Sequence, residues 1–208
     1  MGERLLAIDT ATIACSVALF EDGAMIGSSY AEIGRGHAEK LIPAIEQLTD
    51  CGRADRILVN CGPGSFTGVR IGISAAKALA LAWGADARGY NCLAIVAAQA
   101  LRRLDTPQPV CVVMQAGHGE YYLQNFFETG HPMEPFKTLT PEQAASAVKA
   151  DVIAGSAAAE LAAVVAPDIH FPILPNAADI SLVVDQMKNM PATATYGRKP
   201  DAQPATIV

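Results

Sequence analysis

The sequence is short of charged and aromatic side chains. Of its 208 residues, 17% are charged and 6% are aromatic, whereas 51% are hydrophobic. About a quarter of the residues in an ordinary soluble protein are charged, and 38 alanines account for much of the apolar share here. No stretch approaches the ~20 uninterrupted apolar residues of a membrane helix, and the N-terminus lacks the pattern of a signal peptide. We therefore expect a chain without membrane association.

Paired cysteines are absent as well. The five cysteines are odd in number and widely separated, and no Cys-x-x-Cys occurs. Disulfide frameworks and zinc sites normally show cysteine pairs at close spacing, whereas an isolated cysteine in an apolar run behaves as a small hydrophobic residue. The sequence therefore predicts a reduced, cytoplasmic protein.

A basic stripe is the third missing feature. The formal net charge is -6, and residues 1–104 carry ten basic and ten acidic residues, so the whole acidic excess lies in 105–208. A protein that binds nucleic acid by itself gains most of its affinity when Lys and Arg release phosphate counterions. We therefore expect no autonomous binding of tRNA or DNA.

The order of the predicted elements indicates an α/β fold built from two units. Three strands between residues 4 and 32 precede a helix at 36–49, and strands and helices then alternate up to residue 104. Two prolines in 105–109 mark the best internal boundary. Beyond it the pattern returns, with strands at 110–114, 120–127, 151–154 and 168–171 and helices at 140–150, 157–165 and 179–189. This order predicts two tandem actin-like or ribonuclease-H-like subdomains, residues 1–105 and 106–208, and leaves a single doubly wound domain open.

The most specific segment is GPGSFTGVR, at residues 62–70, between a buried strand and a helix. Backbone N–H groups at a helix N-terminus attract anions, but the spacing matches neither a Walker A loop nor a dinucleotide fingerprint. The candidate anion-binding residues here and at the end of the first strand are Asp9, Thr10, Gly62, Gly64, Ser65, Thr67, Gly68 and Arg70. A tight turn whose glycines serve only packing is the alternative.

Two helices carry apolar stripes at helical spacing. A stripe of this kind is either an ordinary core contact or a surface that meets a partner. Because the second helix is apolar on its opposite side too, we predict a helix-mediated subunit interface. Its residues are Ala38, Leu41, Ile42, Ile45, Val69, Ile73, Ala76, Ala80 and Trp83.

No catalytic set can be identified. The nucleophile-elbow pattern Gly-x-Ser-x-Gly does not occur, and Leu41 stands where a second histidine would complete a helical metal pair with His37. We therefore predict no catalytic residue, no metal site and no cofactor.

Several segments resemble the TsaB (YeaZ) family of bacterial tRNA threonylcarbamoyladenosine biosynthesis proteins. They are Ile8-Asp9-Thr10, CSVAL at 15–19, His37, Pro43 and above all GPGSFTGVRIGISAAKALA at 62–80. The resemblance covers roughly residues 1–100, and the tail at 196–202 is similar to the family's closing Tyr-Leu-Arg-x-Pro-Asp-Ala. The turn QAGHGEYY at 115–122 departs from the family's Asp-Ala-Arg-x-Gly-Glu-Val-Tyr, because it lacks the Asp and the Arg.

The resemblance implies two actin-like (ASKHA) subdomains in a non-catalytic accessory subunit for tRNA N6-threonylcarbamoyladenosine (t6A) modification. It implies binding to the catalytic paralogue TsaD, assembly with the ATPase TsaE, a homodimer when the chain is alone, and contact with tRNA only through the complex. The metal-binding His-x-x-x-His of TsaD is reduced here to His37 and Leu41.

Two other functions stay open. The first is a small actin-like ATP-binding phosphotransferase that uses Asp9, Thr10 and the 62–70 loop. The second is a peptidase, for which the sequence offers neither a nucleophile nor a metal set.

Overall fold

The computed structural model describes residues 2–197. The strands are β1 (Arg4–Asp9), β2 (Ala14–Glu21), β3 (Ala24–Glu32), β4 (Arg56–Asn60), β5 (Asp86–Tyr90), β6 (Val110–Gln115), β7 (Tyr121–Phe126), β8 (Lys137–Leu139), β9 (Val152–Ala154), β10 (Ile169–Phe171) and β11 (Met190–Pro191). The helices are α1 (His37–Glu46), α2 (Phe66–Trp83), α3 (Cys92–Leu101), α4 (Pro141–Ala147) and α5 (Ala158–Val165). None of the helices in this described part has the length and hydropathy needed to cross a membrane.

Five strands of the first half and β11 from the end of the described chain form a six-stranded mixed sheet in the order β11-β5-β4-β1-β2-β3. Strands β1, β4 and β5 run parallel, and β2 and β3 continue the sheet antiparallel. Strand β2 is buried on both faces over seven consecutive residues, whereas the edge strand β3 has no buried residue. The sheet is therefore covered on both sides at its centre and open at one edge.

The second half forms a five-stranded mixed sheet in the order β10-β9-β6-β7-β8. The pairs β6–β9 and β9–β10 are parallel, and β6, β7 and β8 form an antiparallel meander. Helices α4 and α5 pack on one face of this sheet. Two mixed sheets with helices between and outside them confirm the α/β prediction.

Helix α3 lies between the two sheets. Every residue from Cys92 to Ala100 is buried, and the helix shares one hydrophobic cluster with Leu58 of the first sheet and Phe126 of the second. Asn91 caps the start of the helix, because its Oδ1 accepts hydrogen bonds from the N–H groups of Leu93 (2.8 Å) and Ala94 (3.1 Å). The protein is therefore layered as helices, sheet, helix, sheet, helices.

Some predicted elements differ from the structure. The helix predicted at 179–189 is wrong, because this segment forms two short 3₁₀ turns, Ala177–Leu182 and Asp185–Met187, separated by extended backbone at Val183 and Val184. The chain then returns to the first sheet, where β11 pairs with β5. The division of the chain at residue 105 stays a prediction. Most of the closing 196–202 segment lies outside the described residues.

Candidate functional site

Asp9 is a buried carboxylate at the end of β1. It is 1% exposed, and its Oδ2 accepts hydrogen bonds from Asn60 Nδ2 (2.6 Å) and the Tyr90 hydroxyl (2.8 Å). Its Oδ1 accepts a third, from the Ala11 N–H (3.0 Å). Burial raises the pKa of Asp9 above its ordinary value, although these three donors act in the opposite direction. The carboxylate is thus engaged by neighbours in the same chain.

The turn that follows Asp9 packs directly against the 62–70 loop. The Thr10 hydroxyl donates to the Gly68 carbonyl oxygen (2.7 Å), and the Ser65 N–H donates to the Ala11 carbonyl oxygen (2.7 Å). A Cβ atom on Gly68 would lie 2.0 Å from the Thr10 carbonyl oxygen, and one on Gly64 would lie 2.3 Å from the Ala11 carbonyl oxygen. Glycine at these positions is what allows the two segments to touch.

The predicted anion-binding residues therefore fall into two groups. Asp9, Thr10, Gly62 and Gly68 are buried, whereas Ser65, Thr67 and Arg70 are exposed and Gly64 is half-buried. The buried group leaves no room for a phosphate between the turn and the loop, so its contacts favour the packing alternative. Anion binding by the exposed group stays a prediction.

Helix α2 begins immediately after this loop. The Ser65 Oγ accepts a hydrogen bond from the Gly68 N–H (3.2 Å) and caps the helix. Gly84 ends the helix in the left-handed conformation. Between α1 and α2 runs a shallow groove of about 450 Å³. Its lining residues are Ala38, Leu41, Ile42, Phe66, Thr67, Arg70, Ile71, Ser74 and Ala75.

The apolar stripes predicted as an interface are divided between the core and the surface of the chain. Trp83 is half-buried, and Ala38 and Ile42 are exposed. The other six are buried in the chain's own core, namely Leu41, Ile45, Val69, Ile73, Ala76 and Ala80. These six pack on the first sheet because a regular stripe on an amphipathic helix is the side that meets the core. Each of the six is at most 8% exposed in this chain, and their part in a partner contact stays a prediction.

The opposite side of α2 is exposed. Leu81 is 87% exposed, and Ser74, Ala78 and Ala82 are exposed on the same side. With Ile42 of α1 they form a surface poor in charge next to the groove. We call this surface the α1–α2 face.

An aromatic and cationic cluster stands at one end of the α1–α2 face. The Arg70 guanidinium lies 3.6 Å from the centre of the Phe66 ring and 5.5 Å from that of Tyr196. The Arg70 Nε donates to the Tyr196 hydroxyl (2.8 Å). These contacts fix an exposed positive charge in one position.

Tyr196 belongs to a strap that joins the two halves. The Thr195 N–H donates to the Cys61 carbonyl oxygen (2.7 Å) beside the loop. Two residues later, the Gly197 carbonyl oxygen accepts from the Thr138 hydroxyl (2.8 Å) on β8. Sequence reasoning singled out Arg70 but missed Tyr90 and Asn60, because no local spacing signals their contacts with the distant Asp9. It also missed Phe66, although Phe66 and Arg70 are four residues apart on one helix, where side chains meet.

Histidine and cysteine chemistry finds no support here. His37 is buried and its Nε2 lies 3.2 Å from the Ala14 carbonyl oxygen, so it acts as a structural donor. No cluster of metal-ligating side chains occurs within residues 2–197. Burial raises the pKa of both Cys15 and Cys61 to about 11, which keeps these thiols protonated and unreactive at neutral pH.

The divergent turn at 115–122 has its own contacts. The Gln115 Nε2 and the Tyr121 hydroxyl both donate to Glu160 Oε2, at 2.6 Å and 2.9 Å. His118 adopts a left-handed conformation, with φ of 63°, and is exposed. The turn is thus anchored to α5 by Gln115.

Comparison with known proteins points to one group. The family model for TsaD, described as tRNA N6-adenosine threonylcarbamoyltransferase, matches residues 31–194. The tRNA threonylcarbamoyladenosine biosynthesis protein TsaB of Escherichia coli (strain K12) is 36% identical over 148 residues, which cover 67% of this chain and 63% of that protein. The match thus spans less than two thirds of the length of that relative.

Two solved structures from Pseudomonas aeruginosa resemble most of the chain. One, described as YeaZ, is 31% identical with a TM-score of 0.72 and covers 85% of this chain and 88% of its own. The other, described as an uncharacterized protein with similarity to peptidase YEAZ, is 30% identical with a TM-score of 0.74, and the coverages are 91% and 98%.

Proposed function

This chain belongs to the TsaB (YeaZ) family and has an actin-like (ASKHA) fold, and from that premise we propose that it is a non-catalytic accessory subunit in the biosynthesis of t6A in tRNA. In this proposal it binds a TsaD-like catalytic paralogue, a TsaE-like ATPase joins the pair, and tRNA is held through the complex. The observation that carries the proposal is the exposed α1–α2 face.

The α1–α2 face has the composition of a docking surface. Its centre consists of small and aliphatic side chains, including Ile42, Ala78 and Leu81, which would lose contact with water when a partner helix packs on them. Arg and aromatic residues such as Arg70 and Phe66 are enriched where binding energy concentrates. A helical partner that fills the groove between α1 and α2 would bury both kinds of residue.

The polar residues near the loop support an accessory rather than a catalytic role. Asp9 is held by three hydrogen bonds inside the protein, and Thr10 donates to Gly68. A catalytic group must reach the reacting atoms of a substrate, whereas the side chains of Asp9 and Thr10 are 1% and 0% exposed. For the same reason the ATP-binding phosphotransferase gains no support from this geometry.

The proposal also covers the cellular compartment of the chain and its division into subdomains. All five cysteines are free, and only Cys51 is exposed, as expected of a protein kept in a reducing compartment. We place the protein in the cytoplasm, and we retain residues 1–105 and 106–208 as its two subdomains.

Co-purification with the TsaD-like paralogue tests the proposal. The tagged chain is co-expressed with the paralogue, and retention is compared for wild type, Ile42→Glu and Ala78→Glu. We expect either substitution to weaken retention by more than about tenfold, because a buried unpaired carboxylate costs several kcal/mol. Mass spectrometry of t6A in tRNA, in cells that depend on this chain, gives the functional readout.

Phe127→Glu is the matched control. Phe127 is also an exposed apolar residue, 47% exposed compared with 39% for Ile42, but it follows β7 in the second sheet. The Phe127→Glu variant should leave retention of the paralogue and the t6A content of tRNA unchanged. If the wild-type chain neither retains the paralogue nor supports t6A formation, the proposed function is wrong. If Ile42→Glu and Ala78→Glu both retain the paralogue as wild type does, the α1–α2 face is not the docking surface.

A further inference from the structure

A cavity lies between the two sheets, on the side of the first sheet that faces α3. Its volume is about 390 Å³, and its walls come from the turn before β2, the end of β3, the C-terminal end of α3 and the segments that follow β9 and β10. Helices α1 and α2 pack on the other side of the first sheet, so the cavity is separate from the α1–α2 face. Its volume is within the range of roughly 300–1,000 Å³ that is usual for small-molecule sites.

Gln99 is a buried polar residue of this cavity. It is 4% exposed, and its Nε2 donates to Asp179 Oδ2 (3.0 Å). Its Oε1 has no hydrogen-bond partner within residues 2–197. Because Gln99 lines the cavity and Asp179 does not, Oε1 is the amide atom left on the cavity side. A buried acceptor without a donor is rare and costs free energy, so a ligand that brings an N–H donor is favoured here.

The rim of the cavity carries one charge of each sign. Arg103 and Glu32 are exposed, and neither belongs to an ion pair within the described part of the chain. The Arg103 Nη1 donates to the Gln99 carbonyl oxygen (2.7 Å), which holds the guanidinium beside Gln99 while its other N–H groups can reach a ligand. The Glu32 carboxylate accepts from the Tyr30 hydroxyl (3.0 Å). The two charges cancel, so the cavity suits a ligand that also carries one charge of each sign.

Apolar side chains complete the wall. Ile13 is 53% exposed, and Ile173 and Leu174 are half-buried. All three line the cavity, and an aliphatic group that packed on them would remove their remaining surface from water. The cavity thus combines a buried acceptor, one cation, one anion and an aliphatic wall.

We propose that this cavity binds a free α-amino acid with an aliphatic side chain. The ammonium group donates to Gln99 Oε1 with Glu32 as its compensating charge, and the carboxylate pairs with Arg103. The side chain packs on Ile13 and Leu174. A nucleotide would bring several negative charges to a site where, among the described residues, Arg103 is the only Lys or Arg in the lining.

Ligand analogues test the proposal on the unmodified chain. L-leucine is the probe, 3-methylbutylamine lacks its carboxylate, and 4-methylpentanoate lacks its ammonium group. NMR chemical-shift titration measures all three. We expect L-leucine to bind with a Kd below about 1 mM, and each analogue to bind at least about tenfold more weakly, because each loses one charge-assisted contact. No saturable binding of L-leucine up to about 10 mM, or analogues that bind as tightly, would overturn the proposal.

Two variants assign each ligand group to a side chain. Arg103→Gln should weaken binding of L-leucine by about tenfold but leave that of 3-methylbutylamine unchanged, since the amine has no carboxylate to lose a partner. Gln99→Met should weaken binding of L-leucine by a similar factor but leave that of 4-methylpentanoate unchanged. If either variant weakened the analogue as much as L-leucine, the assigned contact would be wrong.

Gln124→Met and Arg53→Gln are the matched controls. Gln124 is 3% exposed, and its Oε1 also has no partner within the described residues. Arg53 is exposed. Because neither residue lines the cavity, both variants should bind L-leucine as wild type does. Equal losses in Gln124→Met and Gln99→Met would contradict the role of the Gln99 acceptor.

Magnesium with ATP is the opposing ligand. If it shifted the same resonances and displaced L-leucine, the cavity would be a nucleotide site and the proposal would be overturned. Retention of the TsaD-like paralogue is a separate measurement on a separate surface. A chain that retains the paralogue but does not bind L-leucine would therefore overturn this inference alone.

Discussion

At the scale of single residues, the contact between the Asp9 turn and the 62–70 loop sets which side chains are tolerated. Gly68 lies against the Thr10 backbone, and the Thr10 hydroxyl returns a hydrogen bond to the Gly68 carbonyl oxygen. Asp9, one residue earlier, holds a charge away from water with three donors around it. Close packing at Gly68 should affect the free energy of unfolding, and burial of Asp9 should affect how that free energy depends on pH.

Gly68→Ala should be strongly destabilising. The new methyl group would lie 2.0 Å from the Thr10 carbonyl oxygen, so the backbone of the turn or of the helix must move, at a cost of about 3 kcal/mol. Urea denaturation gives the free energy of unfolding. Gly117→Ala is the control, because nothing lies within 4 Å of the new methyl group there, and it should change the free energy by less than about 0.5 kcal/mol. Equal effects at both positions would contradict the packing role.

Asp9 should give stability a dependence on acid pH. Because the pKa in the folded chain is raised above the ordinary value of 3.8, the folded chain binds the proton more tightly than the unfolded chain does. The contribution of Asp9 to stability is therefore highest below about 3.8 and falls as pH rises through the raised folded value. Denaturation of wild type and Asp9→Asn across this range should show wild type losing stability relative to the variant. If the difference in stability between wild type and Asp9→Asn did not change with pH, the pKa of Asp9 would not be raised in the folded chain.

At the scale of elements, α2 shows how one helix divides its two sides between core and surface. Its buried residues, including Val69, Ile73 and Ala76, face the sheet and α1, while Leu81 and Ala78 face outwards. Small residues on the inner side let α2 lie close to the first sheet. At Gly72, for example, a Cβ atom would lie 2.5 Å from Thr10 Oγ1. The outer side is apolar without contributing to the core.

Substitutions on the two sides of α2 should differ sharply in stability. Leu81→Glu should change the free energy of unfolding by less than about 0.5 kcal/mol, because the side chain is 87% exposed. Ile73→Glu should cost several kcal/mol or prevent folding, because it buries a carboxylate without a partner. Thermal denaturation followed by circular dichroism compares them. If Leu81→Glu were as destabilising as Ile73→Glu, the assignment of the two sides would be wrong.

At the scale of the whole molecule, α3 and the central cluster connect the two sheets. The cluster joins Ala7 and Leu58 of the first sheet to Val112 and Phe126 of the second, with α3 between them. A hydrogen bond from the Ala177 N–H to Ser16 Oγ (3.0 Å) and the strap at residues 195–197 add further links. Neither sheet can lose its contacts without exposing the other.

The chain should therefore unfold as one cooperative unit. Calorimetry should give one transition with equal calorimetric and van't Hoff enthalpies. Phe126→Ala, which removes a buried ring at a cost of about 3–5 kcal/mol, should accelerate hydrogen exchange in β1 as well as in β6. Two separate transitions, or exchange that changes only in the second sheet, would show that the halves unfold independently.

Local features of the sequence determined where the main elements lie. Asn91, Gly84 and the Thr140–Gln143 capping box set three helix ends, and each acts through atoms within about four residues along the chain. The α/β class followed from the alternation of strand and helix patterns. The short strands β8 and β11 were missed, since pairing with a distant strand leaves little mark on two or three residues.

Contacts between distant segments decided the rest. The sequence marked the stripe on α2 but could not say whether it met the core or a partner, and only the packing against β1 and β4 turned it inwards. It marked the glycines of the 62–70 loop, but the approach of Thr10 and Ala11 gave two of them, Gly64 and Gly68, a packing role. Strand β1 and the turn after it lie more than fifty residues from α2 and the loop, whereas β4 directly precedes the loop. The pattern within one segment carries no information about which of these partners will lie against it.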